Sequence, residues 1–137
     1  MKSKNEILLE FERLSNEKDS DAVWDFITEG YSAIGEVDQI YYYTKLLEYT
    51  WHGCHDSIVH QFQSLANPKT IEILYQTALN VEIEEFDHKP IARKCTHALS
   101  SIGTDSAKQK LIELSKCGNA VIEGYAIKRL DKWKTPR

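Results

Sequence analysis

Apolar side chains recur along this chain at helical spacing. Ile91, Cys95, Leu99 and Ile102 stand at i, i+4, i+8 and i+11, which places them on one face of a helix. The ladder returns 31 residues later as Ile122, Ala126, Leu130 and Trp133, and it occurs once earlier as Cys54, Ile58, Phe62 and Leu65. A ladder repeating at that interval describes a helix together with its partner, so stacked helix pairs share one continuous core.

Read from its start, the same pattern predicts eight helices. The first runs from about Asn5 to Lys18 with Ile7, Leu8, Phe11 and Leu14 on one face. Asp19, Ser20 and Asp21 supply capping side chains for the second, which ends near Gly35 and turns Val23, Phe26, Ile27 and Ile34 inward. Asp38 to Trp51 forms the third, with Ile40, Tyr43, Leu47 and Thr50 inward and Gly53 as its stop. His55 to Ala66 is the fourth, closed by Asn67-Pro68 because proline cannot continue a helix. The fifth, Lys69 to about Val81, carries Ile71, Leu74, Tyr75 and Ala78 on one side. Glu82 to His88 shows no clear helical stripe and reads as a loop or a frayed helix end. Pro90 opens the sixth, ending at Ile102-Gly103; Thr104 caps the seventh, to Lys116; Asn119 caps the eighth, to Trp133. No segment alternates with period two, so the fold class is all-α.

Composition narrows the function. With 42% apolar and 28% charged residues in 137, and no Ser/Gly/Pro-rich stretch, the chain reads as a single domain spanning 1–137. Acidic residues outnumber basic ones 21 to 17, for a net charge of -4, with no basic block except at the extreme C-terminus. Binding to phosphate backbones requires clustered Lys and Arg, so a basic protein partner suits this chain better than direct contact with nucleic acid. The N-terminal stretch lacks the uncharged core of a secretory signal and no apolar run reaches the ~20 residues of a membrane span, which predicts a cytoplasmic protein with no membrane partner. Cys54, Cys95 and Cys117 are odd in number and widely separated, as expected of reduced thiols.

Candidate chemistry is sparse. Trp51-His52-Gly53-Cys54-His55, with His60 downstream, is the richest cluster, yet it lacks the paired spacings of a zinc site. It reads as a turn with histidines at the rim; the alternative is a metal-dependent activity at His52, Cys54 and His55. A nucleophile would pair Cys95 with His97 or Cys54 with His55, but residues one or two apart on a helix face different ways. No catalytic residue, metal or cofactor is therefore expected.

Two surface features remain. Glu82, Glu84, Glu85 and Asp87 surround Ile83 and Phe86. They form either a solvated connection or a set of carboxylates that imitates a phosphate backbone in a basic cleft, anchored by Phe86. Tyr41-Tyr42-Tyr43, followed by Tyr49 and Trp51, spans too much of a helix circumference to face one core. Tyr41, Tyr42 and Trp51 are thus further candidates for a partner interface.

Ala98-Leu99-Ser100-Ser101-Ile102-Gly103, followed by Thr104-Asp105 and Leu111-Ile112-Glu113-Leu114, resembles the short bacterial members of the HEAT-repeat family, most clearly over 88–133. Where that family places a Val-Arg pair, this chain has Ile91-Ala92 and Ile122-Glu123. The resemblance implies a short α-solenoid of antiparallel pairs. A small acidic HEAT-like protein also resembles the immunity proteins of bacterial toxin systems, including contact-dependent growth inhibition. That resemblance implies non-catalytic binding to a cognate toxin domain, often a basic nuclease. HEAT-like bilin lyase subunits, and a generic HEAT scaffold, are the alternatives.

Overall fold

Nine α-helices run through the described residues, 1–87 and 89–133, of this computed structural model, and no strand occurs among them. They are α1 (Lys4–Glu17), α2 (Ser20–Ala33), α3 (Glu36–Leu47), α4 (His55–Leu65), α5 (Ile71–Leu79), α6 (Val81–Asp87), α7 (Ile91–Ile102), α8 (Asp105–Leu114) and α9 (Ala120–Asp131). A single 3-10 turn, Pro68–Thr70, leads into α5.

Helix starts follow local chemistry. Ser3 and Glu6 form a reciprocal capping box at α1, and the Asp19 carboxylate accepts the Ala22 N–H at 3.1 Å to open α2. Thr104 Oγ1 accepts the Ala107 N–H, while Asn119 Oδ1 takes both Val121 and Ile122 N–H at α9. At the close of α7, Gly103 adopts φ +70°, a left-handed conformation that costs glycine nothing.

Two other helix ends are buried and solved by side chains from further along the chain. Gln39 Nε2 donates to the Gly30 and Ile34 carbonyls, and its Oε1 accepts from Gln61. These bonds satisfy the closing carbonyls of α2 inside the core. At α3 the task falls to histidine: His52 Nε2 donates to the Leu46 carbonyl and His55 Nε2 to that of Tyr49, each at 2.7 Å. For this reason α3 stops at Leu47, ahead of the expected end at Trp51, and Gly53 lies in the connection.

In the packing, α4 and α5 stack against α7, α5 also touches α8, and α9 lies across α7 and α8. The helices α1, α2 and α3 follow one another onto α4. All three ladders face the core, with Cys54, Ile58, Phe62, Ile91, Cys95, Leu99, Ile122 and Ala126 buried. Their last members, Leu65, Ile102 and Trp133, are half-buried, and so is Leu130, because α9 is covered chiefly by α7 and α8.

Three expectations need correction. Glu82 to Asp87 lies in a helix of its own, neither a loop nor the frayed end of α5, and His88 lies outside the described residues: glutamate is a good helix former, and Ile83, whose N–H bonds the Asn80 carbonyl at 3.2 Å, is buried as its anchor. Leu8 is exposed although Ile7, Phe11 and Leu14 are not. On α3 the inward set is Gln39, Tyr42, Tyr43, Leu46 and Leu47; Ile40 is half-buried and Thr50 is exposed.

Candidate functional site

The tyrosine run divides as a helix must divide it. Tyr43 is fully buried, stacks with Phe62 at 6.4 Å and donates its hydroxyl to the Ile27 carbonyl at 3.2 Å; burial pushes its phenol pKa well up. Tyr42 is 9% exposed and packs on Phe11 at 4.9 Å and Phe26 at 6.0 Å, so this candidate interface residue belongs to the core. Tyr41 is 56% exposed, with Lys45 Nζ 4.9 Å from its ring centroid. Trp51 is half-buried, stacked on Tyr49 at 5.4 Å.

Tyr41 has exposed apolar company that the sequence pattern passed over. Val37, one turn earlier on α3, is 75% exposed. On α2, Trp24 is 51% and Tyr31 43% exposed; seven residues apart, they share one face, which flanks the Val23, Phe26 and Ile27 stripe on its Ile27 side. The available signal was the phase of Trp24, which falls off that stripe. Asp21, Asp25 and Glu29 are exposed on the same helix, so its solvent side is both aromatic and acidic.

Within α6 the acidic residues separate. Glu82 is exposed, whereas Glu84 is half-buried and its Oε1 accepts the Ala92 N–H at 2.7 Å, closing one of the open donors at the start of α7. Glu84 therefore has a structural duty. The side chains of Glu85, Phe86 and Asp87 lie outside the described residues.

The histidine cluster is not at a rim. His52 and His55 are buried and stack at 4.4 Å with planes 11° apart. His52 Nδ1 accepts the Cys54 N–H at 3.1 Å, which leaves its proton on Nε2 for the Leu46 carbonyl and makes the ring a neutral cap. Among the described residues no three His, Cys, Asp or Glu side chains gather as metal ligands. Cys95 is fully buried, and burial with the nearby Glu84 carboxylate pushes its thiol far up, so it is no ready nucleophile. His97 lines a different place, a cleft between α7 and α9. None of the three cysteines is disulfide-bonded.

Charge is partitioned along the chain. Residues 1–90 carry 17 acidic and 7 basic side chains, and residues 91–137 carry 4 acidic and 10 basic. The overall charge of -4 thus conceals an excess of ten negative charges on the earlier helices and six positive on the later part. Among the described residues no helix is long and apolar enough to cross a membrane. Compared with protein families, curated proteins and solved structures, the chain matches none.

Proposed function

We propose that the protein is a non-catalytic, cytoplasmic binding module that acts as an immunity protein, neutralising a basic toxin domain such as a nuclease. The observation that carries this reading is the solvent side of α2 and α3, where Trp24, Tyr31, Val37 and Tyr41 stand exposed. They belong to a stretch, residues 1–50, with 11 acidic and 5 basic side chains. Large rigid aromatics in a negative field suit a basic protein: the rings fill pockets and the carboxylates steer the encounter. HEAT-like stacking belongs to the same reading and is supported by the shared burial of the three ladders. Glu82, at the exposed start of α6, adds to the acidic surface; the proposed roles of Glu85, Phe86 and Asp87 follow from sequence alone.

The test is protection in cells. Expression of the toxin domain encoded beside this protein should arrest growth, and co-expression of this chain should restore it. Trp24→Ala combined with Tyr41→Ala should abolish the rescue while circular dichroism reports an unchanged helical fold. Full rescue by that variant would remove the α2–α3 surface from the interface, and a neighbour without toxicity would remove the immunity reading.

A further inference from the structure

Cations far apart in sequence converge where α7 meets α9. Arg93, Thr96 and His97 of α7 and Tyr125, Lys128 and Arg129 of α9 line one cleft. Arg129 Nη1 lies 3.4 Å from His97 Nδ1. A guanidinium only donates, so Nδ1 accepts and the imidazole proton sits on Nε2. Burial first, and then the charges of Arg129, Arg93, Lys132 and Lys128, hold His97 below its ordinary range, with no carboxylate offsetting them. Four cations therefore act on one ring.

Lys2, Arg13, Lys89, Lys94 and Lys110 each pair with at least one carboxylate. Arg93, Lys128, Arg129 and Lys132 pair with none among the described residues, and neither do Lys4, Lys18, Lys45, Lys69, Lys108 and Lys116; what sets the four apart is that they act together on one half-buried ring. Like charges repel, and an anion placed among them relieves that repulsion. Two guanidinium groups at one cleft match the forked oxygens of a phosphate, whose near-dianionic charge answers such a cluster better than a single carboxylate does.

We propose that the α7–α9 cleft binds one phosphate group, supplied as inorganic phosphate or as the monoester of a small molecule. A nucleic-acid backbone fits less well, since it needs cations spaced along a track, and this cluster is one cleft on a chain whose earlier helices are acidic. The site stands apart from the α2–α3 surface, so failure of either proposal leaves the other intact.

The experiment follows the His97 ring signals by NMR in the full chain. Sodium phosphate, AMP, adenosine and sodium chloride are added at matched ionic strength. A saturable shift with phosphate and AMP, and none with adenosine or chloride, is the expected result. Tighter binding of AMP than of phosphate identifies a monoester as the ligand, and equal binding identifies the free ion. Arg93→Gln, at an exposed position, and Arg129→Gln should each weaken binding by about tenfold or more, as expected for a charge-assisted hydrogen bond, while circular dichroism reports an unchanged helical fold. A linear response equal to that of chloride would overturn the proposal, as would unchanged phosphate affinity in the Arg93→Gln variant. It would also fall if a single-stranded oligonucleotide bound equally well with and without a terminal phosphate, since the cleft would then be reading the backbone.

Discussion

The earlier helices α1 to α3 and the later helices α7 to α9 solve the same packing problem with different side chains. The interior of the first group is aromatic, with Phe11, Phe26, Tyr42 and Tyr43 in contact. That of the second is small and aliphatic: Ala92, Cys95, Ala98, Leu99, Ala107, Leu111, Leu114, Ile122 and Ala126. At the aromatic end, side chains beyond the helix, Gln39 and His52, satisfy the closing carbonyls of α2 and α3. At the aliphatic end the termini are set by adjacent residues: Gly103 closes α7, Thr104 opens α8 and Asn119 opens α9. Surface charge follows the same division, acidic before residue 90 and basic after it. Two helical stacks in one chain thus present opposite faces to their surroundings.

Breaking the aliphatic end should have the largest effect. Leu99→Ala removes a fully buried side chain of α7 and should lower stability by about 2–5 kcal/mol in urea unfolding. Leu130→Ala, at the equivalent ladder position but half-buried, should cost roughly 1 kcal/mol because it gives up less apolar area. Equal costs would show that the ladders are equivalent in energy as well as in register.

The aromatic end is probed by Gly30, in the last turns of α2. Alanine is the better helix former, yet a Cβ there would overlap the buried Tyr43 hydroxyl and crowd Ile34. Gly30→Ala should therefore destabilise by roughly 1–3 kcal/mol as an overpacked core, and Gly30→Ala with Tyr43→Phe should recover part of the loss. A stabilised single variant would mean that the ring yields freely.

A smaller, pH-dependent effect ties α4 to the aliphatic end. Asp56 of α4 pairs with Lys94 of α7 and with Lys89, 3.4 Å away. Burial alone would raise its pKa, but the two ammonium groups outweigh it and the native value lies below the usual 3.8. A lowered native pKa means that the unfolded chain binds the proton more readily, so this stabilisation is present above that range and is lost as pH falls through the native value. Asp56→Asn should cost about 0.5–1 kcal/mol near neutrality, since the lysines are well exposed, and the difference from the parent should vanish in acid. A difference independent of pH would assign the effect to packing.

The same contrast explains what the sequence disclosed. From residue 90 onward, caps and ladders are local signals, and α7, α8 and α9 begin within a residue or two of their expected positions. Ahead of that, the fold depends on contacts that no local pattern carries: the histidines that end α3, the glutamate that caps α7, and Ile83 as the buried anchor of α6. Of the candidate interface, Tyr41 was legible because three tyrosines in succession cannot all be inside. Trp24 and Val37 stand outside the inward stripes, and nothing in their residue type marks them as surface. The cation cleft was hidden for another reason: Arg93 and Arg129 meet only once α9 lies on α7.

The acidic, aromatic end is the proposed landing surface for a basic protein. The most direct measurement is the association rate constant for the proposed partner, a basic toxin domain if one is encoded beside this chain, followed by stopped-flow fluorescence over a range of salt concentrations. Steering by opposite charges predicts a rate that falls steeply as salt rises, and a rate at low salt about tenfold or more slower in the Asp21→Lys, Asp25→Lys variant, with unfolding little changed. A rate indifferent to both salt and charge reversal, or no association at all, would contradict the account.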